Sequence, residues 1–222
     1  MLDLKDNRIH HYEVLARLRE AGGEVLLPSA FIDIAERFGL IGAIDRMIIE
    51  KALRKQASAV AGGRRISFSI NLSGRDMEDA SLLQFLKATI AETGAAPGLI
   101  IFEITETAAI GDLGDAKRFV GMLKSLGCRF ALDDFGVGFT SFAYLRELQA
   151  DYIKIDGSFI KKLHDNEHDR VFVKAMTEMA KGLGIKTIAE FVEEEETVKL
   201  LKKFGVDYAQ GYLIGKPMPD IL

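Results

Sequence analysis

The chain has little of what would point to a secreted, disulfide-bonded or membrane-spanning protein. It contains one cysteine, Cys128, so no disulfide can form within the chain, which is typical of a reducing compartment. No apolar run approaches the about 20 residues that a membrane-spanning helix needs, and no signal peptide opens the sequence. We therefore expect a soluble, cytoplasmic segment with no direct membrane contact, whose parent protein could still be tethered to a membrane.

A large excess of charge of one sign is also missing. The net charge is −4 over 222 residues, which gives no reason to expect a nucleic-acid polymer as a partner. Apolar residues make up 48% of the chain, enough for a substantial core. Because the sequence shows no interdomain linker, repeat or low-complexity segment, we predict a single domain over residues 1–222, the C-terminal part of a longer protein.

Segments typical of strands and helices alternate along the chain. The predicted strands are Arg8–Arg17, Arg65–Leu72, Leu99–Ile104, Arg129–Asp133, Tyr152–Ile155, Lys186–Ala189 and Tyr208–Gly211. The predicted helices are Pro28–Phe38, Ile44–Ala59, Ser81–Thr93, Asp115–Leu126, Phe142–Leu148, Asp169–Leu183 and Glu194–Phe204. This alternation predicts an α/β fold with a mainly parallel sheet.

Two closures of such a sheet compete, an open doubly wound sheet and a TIM-like barrel. No Gly-x-Gly-x-x-Gly turn follows the first strand, so a dinucleotide-binding open sheet has no support. Polar residues end five different strands: Asn71, Glu103, Asp133, Lys154 and Glu190. A barrel brings all its strand ends to one face, where its active site lies, whereas an open sheet brings few together. We therefore predict a TIM-like (β/α)8 barrel.

The start of the chain predicts an incomplete barrel. The turn signal Lys5-Asp6-Asn7 comes before the strand-like run, yet only four residues precede it. We therefore expect most of the first strand to be missing from this chain.

The feature that most needs explaining is Asp133-Asp134, two adjacent carboxylates at the end of the apolar run 130–132. Adjacent carboxylates in a partly dry place resist ionising together, so a positive partner is expected. The candidate ligands are all hard oxygen donors, which suit Mg²⁺ or Mn²⁺: Glu13, Asn71, Glu103, Asp133, Asp134 and Glu190. A merely acidic, solvated rim is the alternative.

Lys154 is a single cation among these carboxylates and cannot balance them, whereas two divalent cations can. Asp133 can bridge two such ions, and Asp134 can turn to the second, because the pleat alternation breaks there. Two ions that activate a shared water are the apparatus of phosphodiester cleavage. Lys154, two residues before Asp156 on the same strand face, can then orient the attacking hydroxide or neutralise developing charge.

Seven short motifs occur in an order that resembles the EAL-domain family of cyclic di-GMP phosphodiesterases. They are Glu13-Val14-Leu15-Ala16-Arg17, Asn71-Leu72-Ser73, Glu103-Ile104-Thr105-Glu106, Asp133-Asp134-Phe135-Gly136-Val137-Gly138, Lys154-Ile155-Asp156, Ala189-Glu190-Phe191-Val192-Glu193 and Gln210-Gly211-Tyr212. Each motif is weak alone, and their order across the whole chain makes the resemblance specific.

The resemblance implies hydrolysis of cyclic di-GMP to linear pGpG with two Mg²⁺ or Mn²⁺ ions and inhibition by Ca²⁺. It implies that the ligands of the first ion are Glu13, Asn71, Glu103 and Asp133, and that the ligands of the second ion are Asp133 and Asp134. It implies that Glu190 and Lys154 hold the activated water.

The resemblance also implies a substrate pocket, a homodimer and upstream modules. Arg17 is similar to a residue that contacts a substrate phosphate, and Leu15, Asp156 and Gln210 are assigned to the same pocket. Glu106 is similar to the glutamate that braces the loop after Asp134, which couples to the dimer interface in the family. Glu193 is a further candidate for supporting the ligands. A sensory or GGDEF module upstream of the barrel is possible in a longer signalling protein.

The sequence departs from the family pattern at several residues, among them Val14, Val137 and Phe191. Val14 replaces alanine in the signature, and Val137 replaces threonine in a loop that otherwise keeps its glycines and the hydroxyls of Thr140 and Ser141. Phe191 replaces glycine after Glu190, where its ring could narrow the pocket or pack behind the strand; we favour packing. Two other functions stay open: a non-catalytic cyclic di-GMP receptor that signals through its dimer contact, and a metal-dependent barrel acting on another phosphodiester.

Overall fold

The computed structural model describes residues 1–138 and 142–219 of the chain. The strands within this part are β1 (Leu2–Asp3), β2 (His11–Val14), β3 (Leu18–Arg19), β4 (Val25–Leu26), β5 (Ser67–Asn71), β6 (Ile100–Thr105), β7 (Arg129–Phe135), β8 (Tyr152–Ile155), β9 (Lys186–Ala189) and β10 (Tyr208–Ala209). The helices are α1 (Ile32–Arg37), α2 (Ile41–Ala61), α3 (Ala80–Thr93), α4 (Glu106–Gly111), α5 (Leu113–Ser125), α6 (Phe142–Leu148), α7 (Gly157–Ile160), α8 (Glu167–Gly182) and α9 (Glu195–Phe204).

Eight of these strands form one sheet in the order β1-β10-β9-β8-β7-β6-β5-β2. Neighbours from β2 to β10 pair in parallel, while the two-residue strand β1 pairs antiparallel with β10. A bridge between Leu2 and Ile9 and a buried hydrogen bond from the Met1 amino group to the His11 carbonyl link the two edges. The sheet is therefore a nearly closed barrel surrounded by helices, and the predicted TIM-like fold is confirmed.

The barrel strands divide their side chains between two cores, because residues two positions apart share one face of a strand. Outward-facing residues such as Phe102, Phe130 and Ile153 pack in the large core that includes residues of the helices. A smaller cluster fills the inside of the barrel: Met1, Ile101, Ala131, Tyr152 and Ile188.

Two residues further along the same strands, the inward positions become polar. Ile101, Ala131, Tyr152 and Ile188 are followed in this way by Glu103, Asp133, Lys154 and Glu190, all of them buried. The candidate functional layer thus lies directly above an apolar plug, at the C-terminal end of the barrel. The alternation that builds the core is the same alternation that gathers the charged groups.

The predicted elements and the observed ones differ mainly where an element is short. The helices α4 and α7 were not expected, and each is a single short helix whose start is capped by a side chain, that of Thr105 or Asp156. So few residues show no helical period, which is why the sequence pattern does not reveal them. β7 also continues to Phe135 instead of ending at Asp133.

The predicted glycine loop is described as far as Gly138, and its hydroxyl residues Thr140 and Ser141 lie outside the described residues. In the part of the chain that the structure describes, every helix is too short or too polar to cross a bilayer.

Candidate active site

The centre of the site is the buried ammonium of Lys154, of which only 1% is exposed. Lys154 Nζ lies 2.8 Å from Glu103 Oε2, 2.9 Å from Glu190 Oε1 and 3.0 Å from Asp133 Oδ1. A fourth carboxylate oxygen, Glu13 Oε2, is 3.7 Å away. Four strand ends therefore converge on one cation, as the barrel prediction required.

Glu13 is held from two sides. Asn71 Nδ2 donates a hydrogen bond of 2.7 Å to Glu13 Oε1, and Gln210 Nε2 donates to Glu13 Oε2. Glu13 lies in β2, whereas Asn71 ends β5 and Gln210 follows β10. These contacts join β2 to its neighbour β5 and, across the open edges β1 and β2 of the sheet, to the segment after β10. The predicted ligands Glu13 and Asn71 and the predicted pocket residue Gln210 therefore lie together.

A bulge brings the two adjacent carboxylates to the same end of the barrel. The pairing of β7 with β8 shifts between Leu132 and Phe135, so one residue of β7 is extra. Asp134 takes up the irregularity with a φ of 53°, and its backbone N–H donates to Asp133 Oδ1 at 2.9 Å. Without this left-handed residue, alternation would send Asp134 to the opposite face of the strand from Asp133.

The charges in this layer do not balance. Burial disfavours the charged ammonium, yet the surrounding carboxylates outweigh it and hold the pKa of Lys154 well above its usual value. Burial raises the pKa of Glu103 to about 8 and that of Glu190 to about 7, despite the opposing effect of Lys154. One lysine is therefore too little positive charge for the carboxylates around it.

Asp134 and Glu13 differ in their environment. Burial, followed by the charge of Asp133, raises the pKa of Asp134. Burial acts in the same direction on Glu13, but Lys154 and the donors from Gln210 and Asn71 together lower its pKa.

The residues present fit divalent cations. One carboxylate oxygen from each of Asp133, Asp134 and Glu190 lies within 4.8 Å of the other two, the arrangement of a multidentate oxygen site. Among the described residues, the buried Glu103 Oε1 has no hydrogen-bond partner, although Glu103 Oε2 is paired with Lys154. An all-oxygen donor set of this kind suits Mg²⁺ or Mn²⁺ better than a soft metal.

Glu106 contacts the loop that follows Asp134. Its Oε2 accepts a hydrogen bond of 2.8 Å from the backbone N–H of Gly136, and the side chain is 1% exposed. Glu106 Oε1 lies 2.8 Å from the point where a Cβ on Gly138 would stand, so a side chain there would collide with the carboxylate. The glutamate and the glycine loop are thus in direct contact, while Val137 between the two glycines is exposed.

The ring of Phe191 packs against the backbone of Gly157, at the start of α7. Lys161 Nζ lies 4.1 Å from the ring centroid. The ring thus packs against the start of α7, and Phe191 as a whole is 49% exposed. Asp156, which we assigned to the substrate pocket, accepts a hydrogen bond from Ser158 N and caps α7.

The other residues predicted for the site are exposed. The guanidinium of Arg17 donates to the Ala16 carbonyl at 2.7 Å, and Leu15 is 39% exposed. Within the described residues, neither Arg17 nor Glu193 forms an ion pair or hydrogen bond with the carboxylate layer, so the structure leaves them outside the central cluster.

A buried acidic pair behind the site was missed at the sequence level. Asp45 of α2 and Asp76 are 6% and 3% exposed, and Asp76 Oδ2 accepts hydrogen bonds of 2.9 Å from both the backbone and the hydroxyl of Ser73. Ser73 lies two residues after Asn71. The signal was present, because Asp45 interrupts the apolar stripe formed by Ile41 and Ile49 on α2.

Comparison with known proteins agrees with the geometry. The EAL domain family model matches residues 1–217. The cyclic di-GMP phosphodiesterase PdeB of Shewanella oneidensis is 41% identical over 207 residues, which are 93% of this chain and 24% of that protein. The cyclic di-GMP phosphodiesterase PdeF of Escherichia coli is 36% identical over 211 residues, 95% of this chain and 28% of that protein.

Among solved structures, the PaMucR phosphodiesterase in complex with c-di-GMP is similar with a TM-score of 0.93 and 29% identity, covering 98% of this chain and 89% of that chain. This chain spans about a quarter of the length of the two curated relatives. The resemblance inferred from the seven motifs is confirmed, and this chain belongs to the EAL domain family.

Proposed function

We propose that this domain hydrolyses cyclic di-GMP to linear pGpG with the help of two divalent cations, Mg²⁺ or Mn²⁺. The observation that carries the proposal is the carboxylate layer around Lys154, because its uncompensated negative charge fits a pair of divalent ions. The names of the relatives, which are cyclic di-GMP phosphodiesterases, supply the substrate.

In this proposal, Glu13, Asn71, Glu103 and Asp133 would hold one cation, and Asp133 and Asp134 would hold the other, with Glu190 as a further ligand. When bound, such ions polarise a phosphoryl oxygen and lower the pKa of a water molecule. Ca²⁺ would inhibit, since its larger and more flexible coordination changes the geometry at the same oxygens.

Lys154 contributes a fixed positive charge. Its raised pKa keeps the ammonium protonated, so it acts as a hydrogen-bond donor and not as a base. Held between Glu103 and Glu190, it orients the attacking water and stabilises negative charge that develops on the phosphate. Glu190, 2.9 Å from the Lys154 ammonium, would hold the attacking water together with Lys154.

The substrate contacts are assigned to Leu15, Arg17, Asp156 and Gln210. Gln210 is anchored to Glu13 through its amide nitrogen, which holds its side chain beside the carboxylate layer. Arg17 is exposed, and its guanidinium would turn from the Ala16 carbonyl to a phosphate of the substrate.

The test is incubation of the domain with cyclic di-GMP and Mn²⁺, followed by chromatographic separation of pGpG. Production of pGpG, and its loss in Lys154→Ala, is the expected result. Binding of the dinucleotide without any product at saturating Mn²⁺ would contradict catalysis and favour a cyclic di-GMP receptor instead. Cleavage of a different phosphodiester in a substrate panel would contradict the assigned substrate.

We also propose that the barrel works as a homodimer in the cytoplasm and follows a sensory or GGDEF module in a longer signalling protein, with Glu106 coupling the glycine loop to the dimer contact. Size measurement by light scattering at several protein concentrations would test the dimer. A monomeric mass at every protein concentration would contradict the proposed homodimer.

A further inference from the structure

Phe191 has an unusual backbone for a phenylalanine. Its φ is 52°, in the left-handed region that bulky residues rarely adopt, and it directly follows Glu190. Such a conformation persists only where the surroundings over-determine it. The surroundings here are the backbone of Gly157 and the ammonium of Lys161, which lie one helical turn apart and both contact the aromatic ring.

The contact with Gly157 is close enough to exclude any side chain there. A Cβ on Gly157 would stand 2.2 Å from Phe191 Cδ2 and 3.0 Å from Phe191 Cβ. The backbone of Gly157 itself is outside the left-handed region, so only the ring, and not the local conformation, requires glycine. Phe191 therefore fixes the first residue of α7.

The opposite contact of α7 reaches the loop that follows Asp134. Gly136 has a φ of 105°, and a Cβ on it would stand 2.8 Å from Phe159 Cε2 and 3.2 Å from Met176 Sδ. Phe159 belongs to α7, and its ring packs in a tilted arrangement against Phe172 of α8, with 5.9 Å between the ring centroids. The helix thus touches Gly136 on one side and Phe191 on the other.

These contacts form a continuous path from Glu190 to Asp134. Asp156 N donates to the carbonyl of Phe135 at 3.3 Å, and Glu190 N donates to the carbonyl of Ile155 at 3.2 Å, so the backbones of β7, β8 and the segment after β9 are also joined. We propose that Phe191 is a positioning residue that, by pressing on Gly157, wedges α7 against Gly136 and so fixes the left-handed conformation of Asp134.

The first test needs no metal. Amide hydrogen exchange over residues 133–138 is measured in wild type, Phe191→Gly and Gly157→Ala. Phe191→Gly removes the ring and suits the left-handed backbone, and Gly157→Ala displaces the ring without changing residue 191. We expect both to raise exchange in this segment, and Phe191→Tyr, which keeps the ring, to stay close to wild type. The control Phe38→Ala removes a 74% exposed ring at the end of α1 and should leave this segment unchanged.

The second test rests on the proposed function, because it assumes that Asp134 holds a cation. Titration of Mn²⁺ by calorimetry should show the weaker of two sites losing affinity about 10-fold in Phe191→Gly and Gly157→Ala, the size typical for residues that orient a metal ligand. In the double variant that combines Phe191→Gly with Gly157→Ala, Mn²⁺ affinity should be no lower than in Phe191→Gly alone, because the ring with which the new Cβ would collide is absent.

The inference would be overturned if amide exchange over residues 133–138 were the same in Phe191→Gly and wild type. It would also be overturned if Gly157→Ala had as large an effect in the Phe191→Gly background as in wild type. A wild-type domain that binds Mn²⁺ but does not cleave cyclic di-GMP would refute the proposed function and leave this inference standing.

Discussion

The ammonium of Lys154 lies 2.8 Å from Glu103 Oε2 inside the barrel, where both side chains are almost inaccessible to water. Isolated in such a place, either charge would be strongly disfavoured, and together they stabilise each other. Asp133 and Glu190 also lie within 3.0 Å of the ammonium, so the pair still has excess negative charge nearby. The lysine therefore serves the stability of the metal-free domain as well as the proposed chemistry.

Replacing Lys154 by alanine should separate these two roles. Without metal at pH 8, the free energy of unfolding should fall by about 3–5 kcal/mol, the usual cost of removing one partner of a buried ion pair and leaving the other charge uncompensated. Mn²⁺ should restore much of the loss, because the ions neutralise the same carboxylates. Denaturant unfolding with and without Mn²⁺ measures both values.

In the kinetics of Lys154→Ala, the rate of pGpG formation should fall by at least about 100-fold while KM stays close to wild type. Lys199→Ala removes an exposed lysine that pairs with Glu196 on α9 and serves as the control for loss of a positive charge. A large rise in KM for cyclic di-GMP with an unchanged rate would show that Lys154 binds substrate and would contradict its assigned role.

Glu13→Ala should loosen one cation. The side chain closes the ring of contacts between β2, β5 and β10 through Asn71 and Gln210, so its loss also frees both amides. We expect turnover at 1 mM Mn²⁺ to fall by about 100-fold, with partial recovery at higher Mn²⁺ if Glu13 mainly supplies affinity. Activity measured against Mn²⁺ concentration checks this; a loss that stays the same at every concentration would show a direct part in the chemistry.

Much of this site could be predicted because parallel strands deliver their C-terminal ends to one place. Glu103, Asp133, Lys154 and Glu190 each end a recognisable apolar strand, and a barrel brings such ends together. The stagger between neighbouring strands, however, cannot be inferred from the sequence of any single strand. The sequence therefore could not show that Lys154 would contact three carboxylates at once.

Local backbone exceptions were harder to predict. The break in alternation at Asp134 could be anticipated, yet its left-handed φ and that of Phe191 depend on tertiary contacts with α7, a helix too short to show a period. Asp156 could be placed near the site, but its part as the cap of α7 follows from the presence of that helix.

Glu106→Ala should disturb the loop after Asp134. The backbone N–H of Gly136 loses its acceptor, and an unsatisfied buried donor costs about 1–3 kcal/mol. We expect Mn²⁺ affinity at the site that includes Asp134 to fall by about 10-fold, measured by calorimetry. Glu106→Gln keeps an oxygen that can face Gly136 N and should retain most of the affinity. Equal losses in the two variants would show that the negative charge of Glu106, and not its hydrogen bond, is what matters.

The buried pair Asp45 and Asp76 should give the domain a measurable dependence of stability on pH. Burial, and then the hydrogen bond and charge of Asp76, raises the pKa of Asp45 from 3.8 to about 8. The folded protein therefore holds a proton that the unfolded chain releases between these values, so the free energy of unfolding falls as pH rises across that range. Asp45→Asn keeps a donor in place of the acid proton and cannot lose it.

The compared quantity is the free energy of unfolding of Asp45→Asn minus that of wild type. We expect this difference to increase by on the order of 2 kcal/mol from pH 5 to pH 9. Denaturant unfolding of both proteins across this range gives the difference directly and cancels the contributions of Glu103 and Glu190. Asp79→Asn is the matched control: its carboxylate is stabilised by Ser81 and Arg46, its pKa is lowered, and its contribution is lost as pH falls. Parallel stability curves for wild type and Asp45→Asn would show that Asp45 is already ionised in the folded domain.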